Sequence, residues 1–414
     1  MRQSTLFTKT RREAPKDEIA NNAKLLIRAG FIHKEMAGVY DFLPLGLRVM
    51  QKIEAIIRTE MNRIGGQEIL LSTLQDPTPW TKTDRWTTAA DIWFTTTLSG
   101  GAELGLGFTH EEPLTALMKE HVSSYKDLPI YPYQIQTKFR NEQRAKSGIM
   151  RTREFAMKDL YSFSRTEHEH RAFYERCAEA YLSIFSLVGL SDTTYRTFAS
   201  GGLFSKFSDE FQTVAEVGED TIYIDEKKRR AVNKEVLSDE VLSEVGLARE
   251  SLVEKKAIEV GNIFSLGTRF SEALGLQFVD EQGEKQFPVM GSYGIGPARL
   301  LGVVAEVLSD ERGLVWPSTI APFDMHFVVL PSENAAVKKH ADELYERLLA
   351  TGVDVLYDDR DLRAGEKFAD SDLIGIPTRA ILSERTFADG KVELVDRRAG
   401  GSTLVTEEEL LGAR

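Results

Sequence analysis

Arginine and glutamate two residues apart, Arg140 and Glu142 in the run Phe139-Arg140-Asn141-Glu142, fall on one face of any extended segment, because side chains alternate with period two. A guanidinium fork suits a phosphate and a carboxylate accepts from an amino group, so one face could hold both ends of a nucleotide. A lone Arg-x-Glu is better explained by a surface ion pair. Arg151, Arg153 and Phe155 share a face by the same rule, which adds two cations and a flat ring. Their alternative is a core phenylalanine between solvated arginines. In Gly294-Ile295-Gly296-Pro297-Ala298-Arg299 the glycines allow close backbone approach, and Arg299 falls in the first turn of a helix that Pro297 opens.

The elements that must position these groups follow from hydrophobic periodicity. Residues 131–163 read as two strands joined by a loop, since Tyr133, Ile135 and Thr137 alternate with polar neighbours and Gly148 interrupts the next run. This predicts an antiparallel hairpin. Residues 287–308 read as an apolar strand, a glycine turn from Gly291 to Gly296, and a helix. Upstream, Ile19, Ala23, Leu26 and Ile27 form one face of an opening helix that Gly30 ends. A second helix starts near Pro44 and breaks at Gly65-Gly66 before a strand-like run at 67–74. Phe173, Cys177, Ala180, Tyr181, Ile184, Phe185 and Val188 recur at helical spacing ahead of Gly189. A strand at 221–225 leads into residues 226–256, rich in acids and carrying Lys227-Lys228-Arg229-Arg230, which read as a short linker or small cap. After Trp316-Pro317, strand-like 325–330, 353–357 and 379–382 alternate with helix-like 335–350 and 368–374, a small α/β module.

A chain of 414 residues fits two or three domains, and 42% hydrophobic with 28% charged residues fits a soluble globular protein. No apolar run is long enough to cross a bilayer, and the basic start of the chain lacks the apolar core of a secretory signal, so a cytoplasmic location is expected. The single cysteine, Cys177, excludes an intrachain disulfide and any site needing two thiolates, and its helical setting predicts a buried, inert thiol. A formal net charge of −12 argues against indiscriminate coating of nucleic acid. If an RNA is the partner, the positive groups must be concentrated locally.

Three such elements in this order resemble the three motifs of class II aminoacyl-tRNA synthetases, most closely those of bacterial prolyl-tRNA synthetases. The stretches that carry the resemblance are Thr109-His110-Glu111-Glu112, Phe139 to Glu142, Met150 to Phe155, Met290 to Arg299, and Leu373-Ile374-Gly375-Ile376-Pro377. The resemblance implies an α+β fold: an antiparallel-sheet catalytic domain in two parts, residues 1–225 and 257–317, and an α/β anticodon-binding domain at 322–414, with 226–256 standing in place of the editing domain. It implies activation of proline by ATP with Mg²⁺, transfer to the tRNA for proline, a homodimer, and no structural zinc. Arg140 would hold the α-phosphate and the amino-acid carboxylate, Glu142 would read the adenine amino group, and Arg151 would bind the γ-phosphate. Phe155 and Arg299 would sandwich the adenine, Arg140 and Arg299 being the catalytic cations, while Glu210 and Gln212 fall where the family binds ATP with Mg²⁺. Thr109 and Glu111 would receive the proline imino group, with Met157, Tyr161 and Gly294 around the ring and Asp209 nearby. Thr109-x-x-Glu112 is also a helix capping box, so that Thr109 could serve as an N-cap instead. Asp359, Arg360, Lys367 and Phe368 resemble the anticodon-binding surface.

The chain departs from the family pattern at three places. Asp209 stands where prolyl enzymes usually carry histidine, Ser72 replaces the proline of the first motif, and the large editing insertion is missing. Without that insertion, alanine mischarged onto tRNA would need a separate deacylase acting in trans. A threonyl-type enzyme would share the architecture but resembles a zinc enzyme, and Tyr161 occupies the place of its histidine ligand. A non-catalytic synthetase-like regulator is disfavoured by the retention of Arg140, Glu142, Arg151 and Arg299. No Gly-x-x-x-x-Gly-Lys-Ser/Thr stretch occurs to support a P-loop enzyme.

Overall fold

Period-two patterning over 131–163 produces the expected hairpin: Pro132–Phe139 and Glu154–Ser164 pair antiparallel, with Tyr133 opposite Leu160 and Phe139 opposite Glu154. The structure is a computed structural model that describes residues 1–143, 147–202 and 207–412. Two units divide the chain, one of Ala37–Val39 and Ile53–Val303, the other of Met1–Met36, Tyr40–Lys52 and Val304–Arg414.

The hairpin lies in a nine-stranded sheet whose order is Phe207–Val214, Thr194–Ser200, Arg230–Asn233, Asp220–Asp225, Val253–Gly267, Val289–Ile295, Glu154–Ser164, Pro132–Phe139, Gln67–Glu68. Pairing is antiparallel except where Arg230–Asn233 meets Thr194–Ser200 and where Gln67–Glu68 meets Pro132–Phe139. Phe207–Val214 also pairs with Val253–Gly267, so this end of the sheet curls back on itself. The helix Glu167–Leu187 supplies the apolar face read from the sequence. Phe173, Cys177, Tyr181, Ile184 and Phe185 are all buried, and Phe173 meets Tyr293 edge-on with ring centroids 5.4 Å apart, a favourable aromatic geometry. Burying each large apolar side chain contributes about 1.5–3 kcal/mol. Burial pushes the Cys177 thiol up to about 12, which leaves it protonated and unreactive.

Three local expectations change. The glycine run is no turn: Val289–Ile295 is a strand, and a Cβ on Gly294 would stand 2.9 Å from Asn262 Oδ1 on the neighbouring strand. Packing beside the Asn262 side chain, not chain reversal, favours glycine there. The segment 226–256 is more than a linker. It carries the sheet strand Arg230–Asn233 and the helix Asp239–Val245, and Val232, Val241, Leu242 and Leu247 build a small core against Phe198 and Phe207. Arg229 from its basic run donates to the Thr194 carbonyl at 2.9 Å and lies over Tyr195, so that cation is structural. Ile19 precedes the opening helix Asn21–Arg28 and is 78% exposed, because the chain is still extended before Ala20.

In the other unit a five-stranded sheet runs Val355–Asp358, Met325–Val329, Thr378–Leu382, Lys391–Asp396, Ser402–Thr406. The first three strands are parallel and the last two antiparallel. Helices Ala335–Ala350 and Ala364–Ile374 are the expected crossovers, and Val337, Ala341, Leu344 and Leu348 bury one face of the first.

Candidate active site

Beyond the last ladder pair of the hairpin the chain stays extended, with the Arg140 N–H bonded to the Arg153 carbonyl at 2.8 Å, and this projects Arg140 and Glu142 into one cavity. Arg151, Phe155, Met157, Gly294 and Arg299 line the same cavity, whose floor is the sheet. All three sequence elements therefore converge. Arg140 donates to the Phe108 carbonyl at 3.2 Å and lies 5.4 Å from the Phe155 ring centroid, and among the described residues no carboxylate pairs with it. Burial and then the Arg299 charge lower its pKa, yet a guanidinium keeps its proton at neutral pH. A cation in such a cavity with no acid partner among the described residues suits an anion.

Glu142 and Arg151 face each other at 2.8 Å, and Arg151 is also paired with Glu219. Arg299 is held by the Met150 carbonyl at 2.9 Å and by Glu259 at 3.2 Å. Arg153, in contrast, donates to the Glu142 and Ala37 carbonyls and serves the backbone. An adjoining recess shares Arg140, Arg151 and Arg299 with the cavity and adds Glu210, Asp220 and Glu259. Gln212 donates to Glu210 at 2.9 Å and to Asp220 at 2.8 Å. Burial, then the Glu259 charge, pushes the Glu210 carboxyl up to about 8. Crowded carboxylates that resist ionisation together are the donor set a hard divalent cation would relieve, so Glu210 and its neighbours fit Mg²⁺.

Glu111 opens the helix Glu111–Met118 and is buried, accepting from Thr109 Oγ1 at 2.6 Å, Ser292 Oγ at 3.2 Å and Arg85 Nη1 at 3.3 Å. The capping-box alternative fails. His110 is the N-cap residue, with no side-chain cap bond, and Glu112 turns instead to Arg85 at 3.0 Å and Thr83 at 2.8 Å. Behind the loop, His110 Nε2 meets the Ser72 carbonyl at 3.1 Å, which makes Nε2 the donor, and Nδ1 accepts from Lys138 Nζ at 2.6 Å. Lys138 also donates to Asp159 at 2.8 Å, and so does Tyr161 at 2.9 Å. Tyr161 is thus an anchor that receives the His110 N–H at 3.0 Å, and does not line the cavity. Thr109 and Glu111 are absent from that lining, and so is Asp209. It pairs with Arg196 at 2.7 Å and accepts from Tyr174 at 3.1 Å.

Sequence reasoning missed Arg85, Lys138, Asp159, Ser292 and Glu259. Their partners lie far away in the chain, and no local spacing marks them. In the other unit, Asp359 accepts from Ser4 at 2.8 Å, Arg360 is paired with Asp358 and Asp370, and Phe368 lies under Arg379. Lys367 is 2% exposed, with its ammonium on the Val329 and Asp358 carbonyls, so it is no surface cation.

Two buried histidines give the catalytic unit a pH signature. Burial, then Lys138 for His110 and Arg171 for His170, lowers both rings to about 4 from an ordinary 6.5. Between these values the two rings carry more protons in the unfolded chain than in the folded one, so their own contribution to stability rises with pH across the window. On acidification from pH 6.5 this contribution is lost progressively down to about pH 4, at up to about 2.7 kcal/mol per pH unit for two protons. The raised Glu112 and Glu210 carboxyls oppose this slope over the same range, so the readout is a difference: urea unfolding free energies of wild type and His170→Gln, measured from pH 7 to 4.5, should diverge by about 1.4 kcal/mol per pH unit.

Comparison with known proteins adds family context. Residues 94–308 match the tRNA synthetase class II core domain (G, H, P, S and T), and residues 326–413 match an anticodon binding domain. The chain is 38% identical over 425 residues to a proline–tRNA ligase of Caulobacter sp. (strain K31), covering 97% of this chain and 95% of that protein. It is 33% identical to a proline–tRNA ligase of Geobacillus sp. (strain WCH70), covering 99% and 98%. That alignment is 562 positions long against a chain of 414, which leaves at least 148 positions of the relative without a counterpart here. The fold resembles a prolyl-tRNA synthetase of Cryptosporidium parvum complexed with halofuginone and AMPPNP, with TM-score 0.78 and 19% identity over 94% of this chain and 75% of that one. A Giardia lamblia prolyl-tRNA synthetase in complex with prolyl-adenylate matches with TM-score 0.78 and 20% identity, over 94% and 74%.

Proposed function

This chain belongs to the proline–tRNA ligases among the class II aminoacyl-tRNA synthetases, and from that membership we propose how its residues divide the work. It activates proline with ATP and transfers it to tRNA. In the first step a proline carboxylate oxygen attacks the α-phosphorus and the electrons of the breaking P–O bond leave on pyrophosphate. A tRNA ribose hydroxyl then attacks the mixed-anhydride carbonyl and AMP leaves.

Arg140 neutralises the charge on the attacking carboxylate and the α-phosphate. This unpaired cation, in one cavity with Phe155 and Arg299, is the observation that carries the assignment. Phe155 and Arg299 enclose the adenine, Glu142 accepts from its amino group, and Arg151 exchanges a carboxylate partner for the γ-phosphate. Glu111, braced by Thr109, receives the secondary ammonium of proline, with Met157 and Gly294 beside the ring. Glu210, Gln212 and the neighbouring acids would hold Mg²⁺, which supplies charge neutralisation along the polyphosphate.

In this reading 1–225 and 257–317 are assigned to the catalytic domain, although 1–36, 40–52 and 304–317 cluster with the unit of 322–414, the anticodon-binding domain, where Asp359, Arg360 and Phe368 lie near the RNA. Support for a homodimer and for a cytoplasmic location is the family resemblance. No described helix is long and apolar enough to cross a membrane.

Alanine fits wherever proline fits, so discrimination rests on the apolar packing that alanine forgoes, about 1–3 kcal/mol or roughly 10–200-fold per methylene. Residues 226–256 build a strand and one short helix, and a deacylase acting in trans would clear the resulting alanyl-tRNA. The test is pyrophosphate exchange with each of the twenty amino acids, followed by incubation with preformed alanyl-tRNA of the proline type. Exchange should be strong with proline and weak but present with alanine, and deacylation should not exceed the spontaneous rate. Exchange led by another amino acid would overturn the substrate assignment, and enzyme-dependent deacylation would overturn the absence of editing.

A further inference from the structure

The chain carries an excess of twelve negative charges, yet one cleft in the unit that contains the anticodon-binding sheet is lined by Lys9, Arg11, Arg12, Arg28, Arg312 and Arg360. The acids facing them are already engaged. Asp370 accepts from Arg360 at 2.9 Å and from Thr10 Oγ1 at 2.7 Å, and Asp372 accepts from Arg379 at 2.9 Å. Arg312 pairs with Asp310 at 3.3 Å. That leaves two guanidiniums without an acid partner among the described residues, and a third, Arg12, with only a long, exposed pair. Arg12 is 93% exposed, and its nearest carboxylate, on Glu366, stands 3.8 Å away. Among the described residues Arg11 and Arg28 have no ion-pair partner, and Arg28 Nε is a buried donor with no acceptor. The segment is not a loose tail, because the Arg11 N–H bonds the Arg28 carbonyl at 2.8 Å and Thr10 is tied to Asp370.

We propose that Arg11, Arg12 and Arg28 form a backbone-binding cleft that grips consecutive phosphates of the tRNA, outside both family-matched stretches of the chain. The proposal rests on the synthetase reading for the identity of the polyanion. Guanidinium forks match phosphate geometry, and several cations spread along one cleft match a repeating charge better than a single free anion. Such contacts position an RNA without reading its bases. Their removal weakens binding for every tRNA sequence alike and lowers its salt dependence.

The experiment compares the full-length enzyme with the triple variant Arg11→Ala, Arg12→Ala, Arg28→Ala, and with Arg12→Glu alone. Position 12 is too exposed for that single change to threaten folding. Proline-dependent pyrophosphate exchange should stay within about twofold, whereas KM for tRNA should rise at least tenfold in the triple variant and severalfold in Arg12→Glu. The slope of log KM against log salt should flatten by about 0.7–0.9 for each phosphate no longer gripped. The matching lysine variant should recover most of the affinity. An unchanged tRNA KM and salt slope in both variants would overturn the cleft while leaving the enzyme assignment intact. Absence of exchange in the unaltered protein is a different result, and would overturn the synthetase reading itself.

Discussion

Arg140→Ala should reduce proline-dependent pyrophosphate exchange by about a thousandfold or more, with the fold intact. Deleting one donor aimed at a developing charge typically costs about 10²–10³ in rate, and this guanidinium faces two anions at once. Its structural ties are weak by comparison. It donates to one carbonyl, that of Phe108, and lies over Phe155, while Arg299 repels it more strongly than either Glu259 or Glu111 attracts it. Loss of one such hydrogen bond costs about 0.5–1.5 kcal/mol, offset in part by relief of that repulsion. Exchange assays paired with thermal melts would decide the matter. A melt shifted by less than a few degrees alongside abolished exchange supports the role, and near-normal exchange would end it.

Arg85→Met should be far more damaging to stability, by about 3–5 kcal/mol, because it strips the cation from a buried cluster and strands its acids. Arg85 reaches both Glu111 and Glu112, and all three are buried. Trp80, Phe108 and Phe270 stand within 5.5 Å of its guanidinium, so water cannot substitute for it. Burial already pushes the Glu112 carboxyl up to about 7 against the pull of Arg85. Without the arginine, Glu112 should protonate outright and Glu111 should lose one of the hydrogen bonds that aim it. Denaturant midpoints should therefore fall, and the surviving enzyme should show a KM for proline raised well beyond that for ATP. Glu112→Gln, which keeps an acceptor, should be much milder. Equal effects on both substrates would assign Arg85 to the fold alone.

These two residues also mark where sequence reading works and where it stops. Arg140, Arg151 and Phe155 were legible from a local period and Arg299 from the helix start at Pro297, and the structure brings all four to one cavity. The helix of Phe173 and Cys177 and the parallel strands of the α/β module were legible for the same reason. Arg85 was not, since its meaning comes from Glu111 and Glu112 across the fold. Asp209 was misplaced because its strand neighbour Arg196 claims it, a pairing set by register with Thr194–Ser200. The glycine run misled because glycine marks turns and tightly packed strand positions alike, and only the pairing of Val289–Ile295 with the strands on either side distinguishes them. Strand Ser402–Thr406 was missed because it is mostly exposed, and Lys391–Asp396 because it is short and fully buries one residue, Val392.

The short segment between Asp225 and Val253 starts and finishes on strands that are direct partners, with Ile224 opposite Val253. A docking port results: chain of almost any length can leave and re-enter there, since the sheet itself holds the two ends together and the entropic cost of a longer excursion grows only logarithmically. The port is not blank, however. Arg230–Asn233 completes the hydrogen bonding of Thr194–Ser200. Any module grafted at this point must bring a replacement strand or keep this one, so exchange of modules here is constrained by one four-residue strand laddered on both sides rather than by the size of the insert.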